Sequence, residues 1–572
     1  MSYKSNLLTD ISKIVSNSSY TIRLPKTANN LALIECAHLP SSTSRYPYLK
    51  HKGTLLRNGI EMIRNANVVL LETGETIEVA LTWGNVTNFA GMVNDGKKLT
   101  DITHGTVEGV DWVVWSNKGS NSAQFPLIDY GFNSDDPNVW YHPVVTVKWI
   151  LDKIQEQSGV TFNFPSDKLT VINKMIIPLL TRNDSQAIYD AYPMTLRVTG
   201  YDSSIIKFEA IGDSTQQYVS TNGSRNIYPK FDSTLKLKGT IEVSYTYSQG
   251  IDYLNTPFQI TVYSTPTKQE EIINIYKPAA YIEPPYIRLV YSFDTSATVY
   301  KDGYFIISSG NGQQPINSVS GSLSVTITER EEDVVLGEKF PLVPNLPDIK
   351  QIDFIKAVSS MVGLFALPDG ENGIKFIPFD NLSANKSKAV DWTNRVIMAY
   401  NSVTPRNLQY TLDNIAQNNW FRYKEDDNVM GNYDGNIQVD DATIEYERDA
   451  ITLPFSACST KGGVAYIPLY SYNEEGELEY NKTNPRILLL DGTKGIFKGL
   501  EWTTLIANNY QTYKGLINNA KVVTEYIRLN SIELRDLEMD IPVYLAQYGC
   551  YLAIIEITTK ENDICECKLL KL

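Results

Sequence analysis

A stretch in the middle of the chain has the spacing of one helical face, with apolar residues at Ile352, Ile355, Val358 and Val362. Asp348 precedes this face and predicts a cap for the first turn, and Gln351, three residues on, completes a capping box. Gly363 stands where a left-handed residue commonly ends a helix. Two extended runs follow, 364–367 and 374–379, with a turn rich in Pro, Asp, Gly and Asn between them. The pattern predicts a capped helix, a glycine stop and a hairpin.

The two sides of this central helix differ in polarity. Lys350, Lys356 and Ser360 are polar positions between the apolar ones. We expect them to face solvent or a neighbouring subunit while the apolar face packs on a sheet or barrel. In a second interpretation the helix is an exposed docking element, and only a partner covers its apolar face.

A similar unit occurs earlier in the chain. Residues 149–159 form an apolar-periodic segment that ends in glycine, and an extended run, 160–164, follows it. At one constant offset, Ile150, Leu151, Ile154 and Gly159 align with Phe354, Ile355, Val358 and Gly363. An internal duplication would explain this match, and so would any amphipathic helix that ends in glycine before a strand. In either case the two units bracket a separate segment.

The N-terminal region alternates in the manner of antiparallel strands. Asn58-Gly59 lies between two apolar runs, which is a strong hairpin signal. A second hairpin joins 68–71 to 77–83, where apolar and mostly polar residues alternate. These signals predict a small barrel or sandwich, with long loops rich in Asp, Asn, Gly and Ser after residue 93.

Residues 190–335, called the insert below, lie between the two helix units. Short strands alternate there with turn clusters, and there is no convincing helix beyond a possible turn near 269–275. This spacing predicts an inserted β-sandwich. Its tyrosines are candidates for a contact or glycan-binding surface: Tyr276, Tyr281, Tyr286, Tyr291, Tyr300 and Tyr304. Tyrosine is also a good strand former, so interior strand positions are the alternative.

The last third of the chain is mostly extended. One further helix is predicted from about Gly499 through Tyr513, and tail strands are predicted at 522–529, 541–545, 551–558 and 564–570. The whole pattern predicts a mainly β, multidomain α+β protein of barrels and sandwiches with a few short helices. The predicted units are 1–140 (N-terminal barrel or sandwich), 141–189 (helix-strand unit), 190–335 (inserted sandwich), 336–400 (helix-hairpin unit) and 401–572 (C-terminal β-rich domain with one helix).

Composition narrows the class. The chain has 572 residues, enough for several units and a large core. A formal net charge of −14 argues against a nucleic-acid-binding surface, which is normally basic. No run approaches the roughly 20 apolar residues that span a bilayer, and residues 1–6 lack the apolar core of a secretion signal. Five scattered cysteines favour a reducing cytoplasm and no disulfide framework.

Residues with catalytic or metal-binding potential are few. The histidines have no second ligand one helical turn away: His38, His51, His104 and His142. Cys565 and Cys567 share a strand face near Cys550 and are interpreted as buried small apolar residues rather than zinc ligands. Asp426-Asp427-Asn428 begins a segment without the later carboxylates of an EF-hand loop. We therefore expect no catalytic residue, no metal site, no cofactor and no enzymatic activity.

Three parts of the chain together resemble the hub proteins at the distal end of phage tails, and the related barrel pairs at the base of type VI secretion spikes. They are Ile352-Asp353-Phe354-Ile355-Lys356-Ala357-Val358 with Gly363-Leu364-Phe365 and Gly373-Ile374-Lys375-Phe376; Glu75 to Trp83 with Phe89-Ala90-Gly91-Met92-Val93; and Val543-Tyr544-Leu545 with Tyr551 to Ile555. The insert departs from the common pattern. The resemblance implies a ring-forming structural protein, commonly a trimer around the tail axis, with no catalytic residues in its barrels.

From these observations we expect a hub-like structural component of a phage tail or baseplate. It would assemble into a ring, connect the tail tube to distal fibres or a spike, and reside in the virion tail after synthesis in the host cytoplasm. The expected partners are further copies, with a trimer favoured, and other tail or baseplate proteins, but no nucleic acid and no membrane. Two alternatives stay open: a glycan-binding or receptor-binding virion protein, and a polysaccharide-degrading enzyme with an unrecognised carboxylate pair.

Overall fold

A computed structural model describes the chain except for residues 5–16, 20, 50, 58, 84–95, 104–106, 113–122, 133–141, 212–218, 222–224, 256, 264–269, 310–314, 331–332, 371, 399–406 and 561. The fold is mainly β, with several sheets, two half-barrels and short helices, as the sequence predicts. Three clusters of buried apolar side chains organise the described residues. One belongs to the insert, one to a sheet built from both chain ends, and one to the region between them.

The terminal sheet joins strands from both ends of the chain. Its strands are Ser2–Lys4, Asn17–Ser18, Ile22–Leu24, His51–Arg57, Ile60–Thr73, Ile77–Trp83, Val390–Asp391, Asn407–Gln409, Val522–Arg528, Val543–Leu545, Cys550–Thr559 and Ile564–Lys571. Tyr3 lies opposite Ile557 in an antiparallel pair, and the Thr559 amide donates to the Met1 carbonyl at 2.8 Å. The first and last predicted units therefore share one sheet and one core.

Strand Cys550–Thr559 has a continuous apolar run because both of its faces are buried. Leu552 and Ile554 face the core of the terminal sheet, whereas Ala553 and Ile555 face the core of the neighbouring region. A strand buried on both faces has no need of the polar positions that alternate along a half-exposed strand.

The body is the region around the remaining core, which draws most of its side chains from three segments, 99–180, 334–382 and 412–522. Ala553, Ile555 and Leu570 of the terminal sheet complete this core. Its strands are Gly109–Asp111, Val144–Thr146, Thr161–Asn163, Met175–Pro178, Lys339–Pro341, Leu364–Asp369, Gly373–Pro378, Asn418–Lys424, Gly435–Gln438, Glu447–Ser456, Ser459–Lys461, Val464–Tyr466, Tyr470–Tyr472, Leu478–Tyr480, Leu488–Asp491 and Lys494–Ile496. Its helices are Val147–Ser158, Ser166–Ile172, Gln351–Met361, Asp380–Ala384, Trp502–Asn509 and Gln511–Asn518.

Three further α-helices and several 3-10 turns complete the described elements outside the insert's sheet. The helices are Ala28–Leu33, Gln186–Ala191 and Ser531–Arg535. The 3-10 turns are Tyr46–Tyr48, Leu99–Asp101, Tyr253–Asn255, Val343–Asn345, Asn385–Lys388 and Thr393–Arg395. Among the helices that the structure describes, none combines the length and apolar character needed to cross a membrane.

The central helix, Gln351–Met361, is buried on nearly every side. Its predicted apolar face is confirmed, because Ile352, Ile355, Val358 and Val362 are all buried. Lys350 is exposed and Lys356 is half-buried, 3.8 Å from Asp353. The prediction for Ser360 is wrong: this residue is buried, and its carbonyl accepts a hydrogen bond from the Tyr510 hydroxyl at 2.6 Å. Ser360 is covered because the helices of 502–518 pack over it.

The predicted capping box does not form. Lys350 occupies the cap position and makes no side-chain bond to the first turn. The Gln351 amide donates instead to the Lys97 carbonyl at 2.8 Å, so a distant segment satisfies the donor that a cap would have taken. Asp348 pairs with Lys98 at 2.7 Å, and the Gln351 side chain donates to Gln157 at 3.0 Å.

The two similar helix units meet in one small sheet. Each helix stops at a left-handed glycine, Gly159 with φ of 70° and Gly363 with φ of 68°. Strand Thr161–Asn163 of the first unit pairs in parallel with Gly373–Pro378 of the second unit's hairpin. The units therefore contact each other directly, and an origin by duplication stays a prediction.

The insert folds around its own core in a single sheet. The strands, in chain order, are Met194–Asp202, Ile205–Ile211, Ser233–Thr246, Phe258–Tyr263, Glu270–Ile275, Ala279–Glu283, Tyr286–Val299, Tyr304–Ser309 and Ile316–Arg330, with a small pair at Val219–Ser220 and Tyr228–Pro229. The sheet curls over, so that Phe258 stacks on Tyr291 with ring centroids 5.1 Å apart. Residues 270–275 form a strand, not the turn that the sequence suggested.

Other elements follow the sequence with two differences. The predicted hairpins form, with Arg57 opposite Ile60 and Thr73 opposite Ile77. The predicted helix 499–513 is two helices, because Tyr510 breaks it with φ of −120° while its ring is fully buried. Asn58, His104 and the segment 89–93 lie outside the described residues. The predicted unit boundaries are not tested and stay predictions.

Candidate interaction surfaces

His142 is a buried structural residue in this fold. Its Nδ1 donates to the Leu179 carbonyl at 3.0 Å, so its Nε2 accepts from the Tyr470 hydroxyl, also at 3.0 Å. Burial lowers the pKa of His142 to about 3, because burial together with the smaller effect of the Arg182 charge outweighs the opposing Leu179 hydrogen bond. The imidazole is therefore neutral at physiological pH. Both nitrogens are occupied by protein groups.

The cysteines lie as the sequence predicts. Cys565 and Cys567 are fully buried in the core of the terminal sheet, and Cys550 is half-buried. Burial raises the pKa of both buried thiols, that of Cys565 to about 12. No group of three or more His, Cys, Asp or Glu side chains among the described residues is placed to hold a metal ion.

Asp426 has a role that the sequence did not indicate. Its carboxylate accepts from the Arg486 guanidinium at 2.5 Å, and both side chains are almost fully buried. Burial pushes the pKa of Asp426 up, but the Asn428 amide and the Arg486 charge outweigh burial and lower it. The segment that faintly resembled a calcium loop is thus fixed by an internal ion pair.

One open groove brings two carboxylates together, which is the minimum that glycosidase chemistry needs. The groove has a volume of about 510 Å³, and Glu533 and Asp563 are among its lining residues. Glu533 bonds to Arg395, and Asp563 bonds to Arg57 at 2.8 Å. Burial alone would raise the pKa of Glu533, but the Arg395 guanidinium lowers it overall. A general acid requires a raised pKa, whereas the pKa of Glu533 is lowered.

The neck consists of segment 182–189, Arg330 and segment 333–338, which lie between body and insert. The Val334 amide donates to the Arg182 carbonyl at 2.9 Å. Arg330 pairs with Glu338 at 3.0 Å, and both side chains are almost fully buried. The two ends of the insert are thus held together, as expected of a domain inserted at one point.

The insert tyrosines divide into surface and core residues. Tyr276, Tyr281, Tyr286 and Tyr300 are exposed. The prediction that Tyr291 contributes to the surface is wrong: it is buried, because it stacks on Phe258 across the curled sheet. Tyr304 is half-buried against Tyr263, with ring centroids 4.8 Å apart. Of the four exposed tyrosines, Tyr281 and Tyr286 lie on one hairpin.

The longest run of described strands in the terminal sheet ends in two unlike edges. His51–Arg57 forms one edge and Asn407–Gln409 forms the other. Leu56 is 62% exposed on the first edge, and Leu408 is 42% exposed on the second. Open strand edges present unpaired backbone groups to other chains, so both are candidate interaction surfaces. Their unpaired state follows from tertiary arrangement, and no local sequence signal marks it.

Comparison with known proteins gives only distant likenesses. No family model and no curated protein matches the chain. Similar solved structures include the globular domain of the zebrafish complement 1qA protein (9% identity, 24% of this chain and 98% of that one, TM-score 0.18). Eiger TNF from S. frugiperda is 7% identical over 25% of this chain and 98% of that one, with a TM-score of 0.19. The 43 kDa tail protein of prophage MuSo2 from Shewanella oneidensis is 7% identical over 60% of this chain and 95% of that one, with a TM-score of 0.19. These TM-scores are too low to establish a shared fold, so the comparisons leave the chain with a phage tail protein among its weak structural neighbours.

Proposed function

We propose that this chain is a hub-like structural component of a phage tail or baseplate, which assembles into a ring and connects the tail tube to distal fibres or a spike. The observation that carries the proposal is the terminal sheet, which is built from both ends of the chain and whose longest run of described strands ends in two different edges. The sequence resemblance to tail hubs supports the same role.

Two unlike edges on one sheet favour a head-to-tail contact between copies. When one edge of a copy meets the other edge of the next, the contact is heterologous, and repeated rotation closes a ring. Leu56 and Leu408 supply exposed apolar surface on the two edges. A trimer is favoured because the resemblance implies one. Other tail or baseplate proteins would bind the same ring, and its location would be the virion tail.

The proposal excludes an enzymatic role. The two carboxylates of the open groove are both engaged by arginines, Glu533 by Arg395 and Asp563 by Arg57, so we propose no general acid in this groove. A reducing-sugar assay on bacterial polysaccharides tests this part, and activity that Glu533→Gln abolishes would contradict it.

Light scattering on size-fractionated protein, with electron microscopy of the same fractions, tests the ring. We expect closed particles of three copies. Leu56→Lys and Leu408→Lys should each prevent closure, because a lysine at a sheet edge opposes pairing. Leu33→Lys is the matched control, since Leu33 is 64% exposed but lies on a helix. A strict monomer, both alone and with the other tail proteins, would contradict the proposal.

A second candidate is a glycan-binding or receptor-binding virion protein. The observation that favours it is the exposed pair Tyr281 and Tyr286, which can offer aromatic faces to sugar rings. A glycan array with the wild-type chain tests it, and Tyr286→Ala should abolish any genuine signal. Binding that survives this change would remove the insert's hairpin from consideration.

A further inference from the structure

The insert has one strand that is exposed along its whole length. Ala279–Glu283 is the last strand of the nine-stranded sheet and pairs, among the described strands, only with Tyr286–Val299. All five of its residues are exposed, with Tyr281 at 51% and Ile282 at 55%. The register of this pair runs without a shift from Ala279 to Glu283. A straight, unbulged edge of this kind is ready to accept another strand.

The opposite edge of the same sheet is different. Glu270–Ile275 carries a second glutamate, Glu271, and the polar Asn274, both exposed. Its Ile273 and Ile275 pack against the insert core. Charges of this kind are a usual protection against unwanted strand pairing. Ala279–Glu283 has no charge before its last residue, so only one of the two edges is left open to pairing.

The exposed strand also leaves part of the core face of the sheet uncovered. Ile282 lies directly opposite Ile287, and Ala280 lies opposite Leu289. Ile287 and Leu289 are buried in the insert core. Because residues directly opposite in an antiparallel pair share a face, Ile282 and Ala280 point to the core side. An added strand would continue the sheet and cover Ile282.

The charges at the two ends of this strand identify the partner. Lys277 precedes the strand and is exposed, and Glu283 ends it, 70% exposed at its side chain. In an antiparallel pairing with a second copy, centred on Ala280, each Lys277 lies opposite Glu283 of the partner. A pairing centred on a neighbouring residue would place Lys277 opposite an uncharged residue. The small side chains of Ala279 and Ala280 allow the two strands to approach closely at the two-fold axis.

Glu283 stays exposed at the edge although it is paired within its own chain. Its carboxylate bonds to Arg288 at 3.2 Å, and Arg288 also lies 3.6 Å from Glu242. No ion pair of Lys277 occurs among the described residues. We propose that the free edge Ala279–Glu283 pairs with the same edge of a second copy of this chain across a two-fold axis. This contact goes beyond the tail function and does not rest on it.

Sedimentation velocity on the full chain tests the pairing. Ile282→Lys should raise the Kd of the two-fold association by about ten-fold or more, because it places a charge against the core face of the paired sheet. Ile272→Lys is the matched control, since Ile272 is 49% exposed on the protected edge. Circular dichroism confirms that both variants are folded. Equal association of the wild type and Ile282→Lys would overturn the proposal.

Charge reversal tests the register. Lys277→Glu and Glu283→Lys should each weaken the association, and the double variant should recover it, since opposite charges again face each other. Failure of the double variant to exceed the single ones would overturn the two-fold register. The contact should persist in Leu56→Lys, which separates it from ring closure.

A cross-link gives an independent measure. Ala280→Cys, in a Cys36→Ser background that removes an exposed thiol, should form a disulfide-linked pair on oxidation, because the two-fold axis brings the two positions within disulfide reach. Ala279→Cys is the control and should cross-link less. Equal cross-linking yields for the two cysteine variants would overturn the register. The proposal would also be overturned if the chain did not self-associate and a glycan or peptide bound this edge instead.

Discussion

The insert and the body use the same kind of short antiparallel strand, but the chain builds them in opposite ways. Residues from Tyr189 to Ile327 close the core of the insert in one continuous stretch. The body core draws on three segments that lie far apart along the chain and on the C-terminal strands, and the terminal sheet needs both chain ends. The difference shows that the insert can form its core from one continuous segment, as an independent domain does. The body becomes stable only when segments distant in the chain have packed together.

The neck is where these two ways of building meet. Val334 belongs to the body core although it lies within the predicted insert, and Arg330 reaches from the last insert strand to Glu338 of the body. Its guanidinium also lies 3.7 Å from the ring centroid of Phe231 in the insert core. The boundary is therefore an interlocked contact rather than a plain linker.

Of the changes that test this comparison, removal of the insert should have the largest effect on the thermal unfolding of the chain. Replacing 191–330 by a short glycine-serine linker, with Glu338→Gln to avoid an unpaired buried charge, should remove one thermal transition and leave the body folded. The longer replacement of 190–335 also removes Val334 and should leave a less stable body. Calorimetry and β circular dichroism measure both. Aggregation of both shortened chains would mean that the insert is integral to the core.

Glu338→Ala should destabilise the neck by about 3–5 kcal/mol, because it leaves Arg330 charged and buried without its partner. Asp294→Ala is the matched control: its pair with Lys236 is about half exposed, so its loss should cost about 1 kcal/mol or less. Urea unfolding measures both changes. The double variant Arg330→Met with Glu338→Leu should lose less stability than Glu338→Ala, because it leaves no buried charge unpaired. If the double variant lost as much stability as Arg330→Met and Glu338→Leu added together, the loss would not come from an uncompensated charge.

Core truncations in the two regions should act on different transitions. Ile355 in the central helix and Ile241 in the insert are both almost fully buried, and each change to alanine should cost about 2–5 kcal/mol. Ile355→Ala should lower the melting transition of the body and Ile241→Ala that of the insert. If both variants lowered one shared transition equally, the two regions would be a single cooperative unit.

Lys356→Ala is the control for the central helix, because Lys356 is half-buried with a weak neighbouring charge. Its cost should stay within about 0.5 kcal/mol. An Ile355→Ala chain as stable as the wild type, with a defect only in assembly, would favour the docking interpretation of this helix.

Between pH 7 and about pH 5.5, a pH dependence of the body should have a smaller effect than the core truncations. The pKa of His142 is lowered from 6.5 to about 3 in the folded chain, so below pH 6.5 the unfolded chain takes up a proton that the folded chain does not. The contribution of neutral His142 to the free energy of unfolding is complete above about pH 6.5. It is lost as the pH falls towards 3, at up to about 1.4 kcal/mol per pH unit. Urea unfolding at pH 7 and at about pH 5.5 should show this loss for the wild type and not for His142→Gln. Equal losses in both chains would contradict it.

The sequence predicted most elements because their signals are local. The burial of Ile352, Ile355, Val358 and Val362 followed from helical spacing, and Gly159 and Gly363 marked the helix ends. Strand Cys550–Thr559 was visible because both of its faces are buried. These outcomes depend on periods of two and 3.6 residues, which any short window contains.

Features that depend on distant partners were not predictable in the same way. The Lys97 carbonyl took the place of the Asp348 cap. Tyr291, a candidate surface residue in the sequence, is buried against Phe258. The neck pair Arg330–Glu338 has no sequence signature, because either residue alone is typical of a surface. The pairing of the first strand with Cys550–Thr559 is likewise a tertiary fact.

That last pairing has a consequence for the order of events during synthesis. Ser2–Lys4 cannot find its place until Cys550–Thr559 has left the ribosome, whereas the insert can fold as soon as Ile316–Arg330 has emerged. At about 5–20 residues per second, the first strands wait on the order of half a minute to two minutes. During that time Met62, Leu81 and Trp83, which the finished sheet buries, have no cover from the C-terminal strands. The nascent N-terminal region is therefore a natural client for chaperones, and the insert folds first although it lies in the middle of the chain.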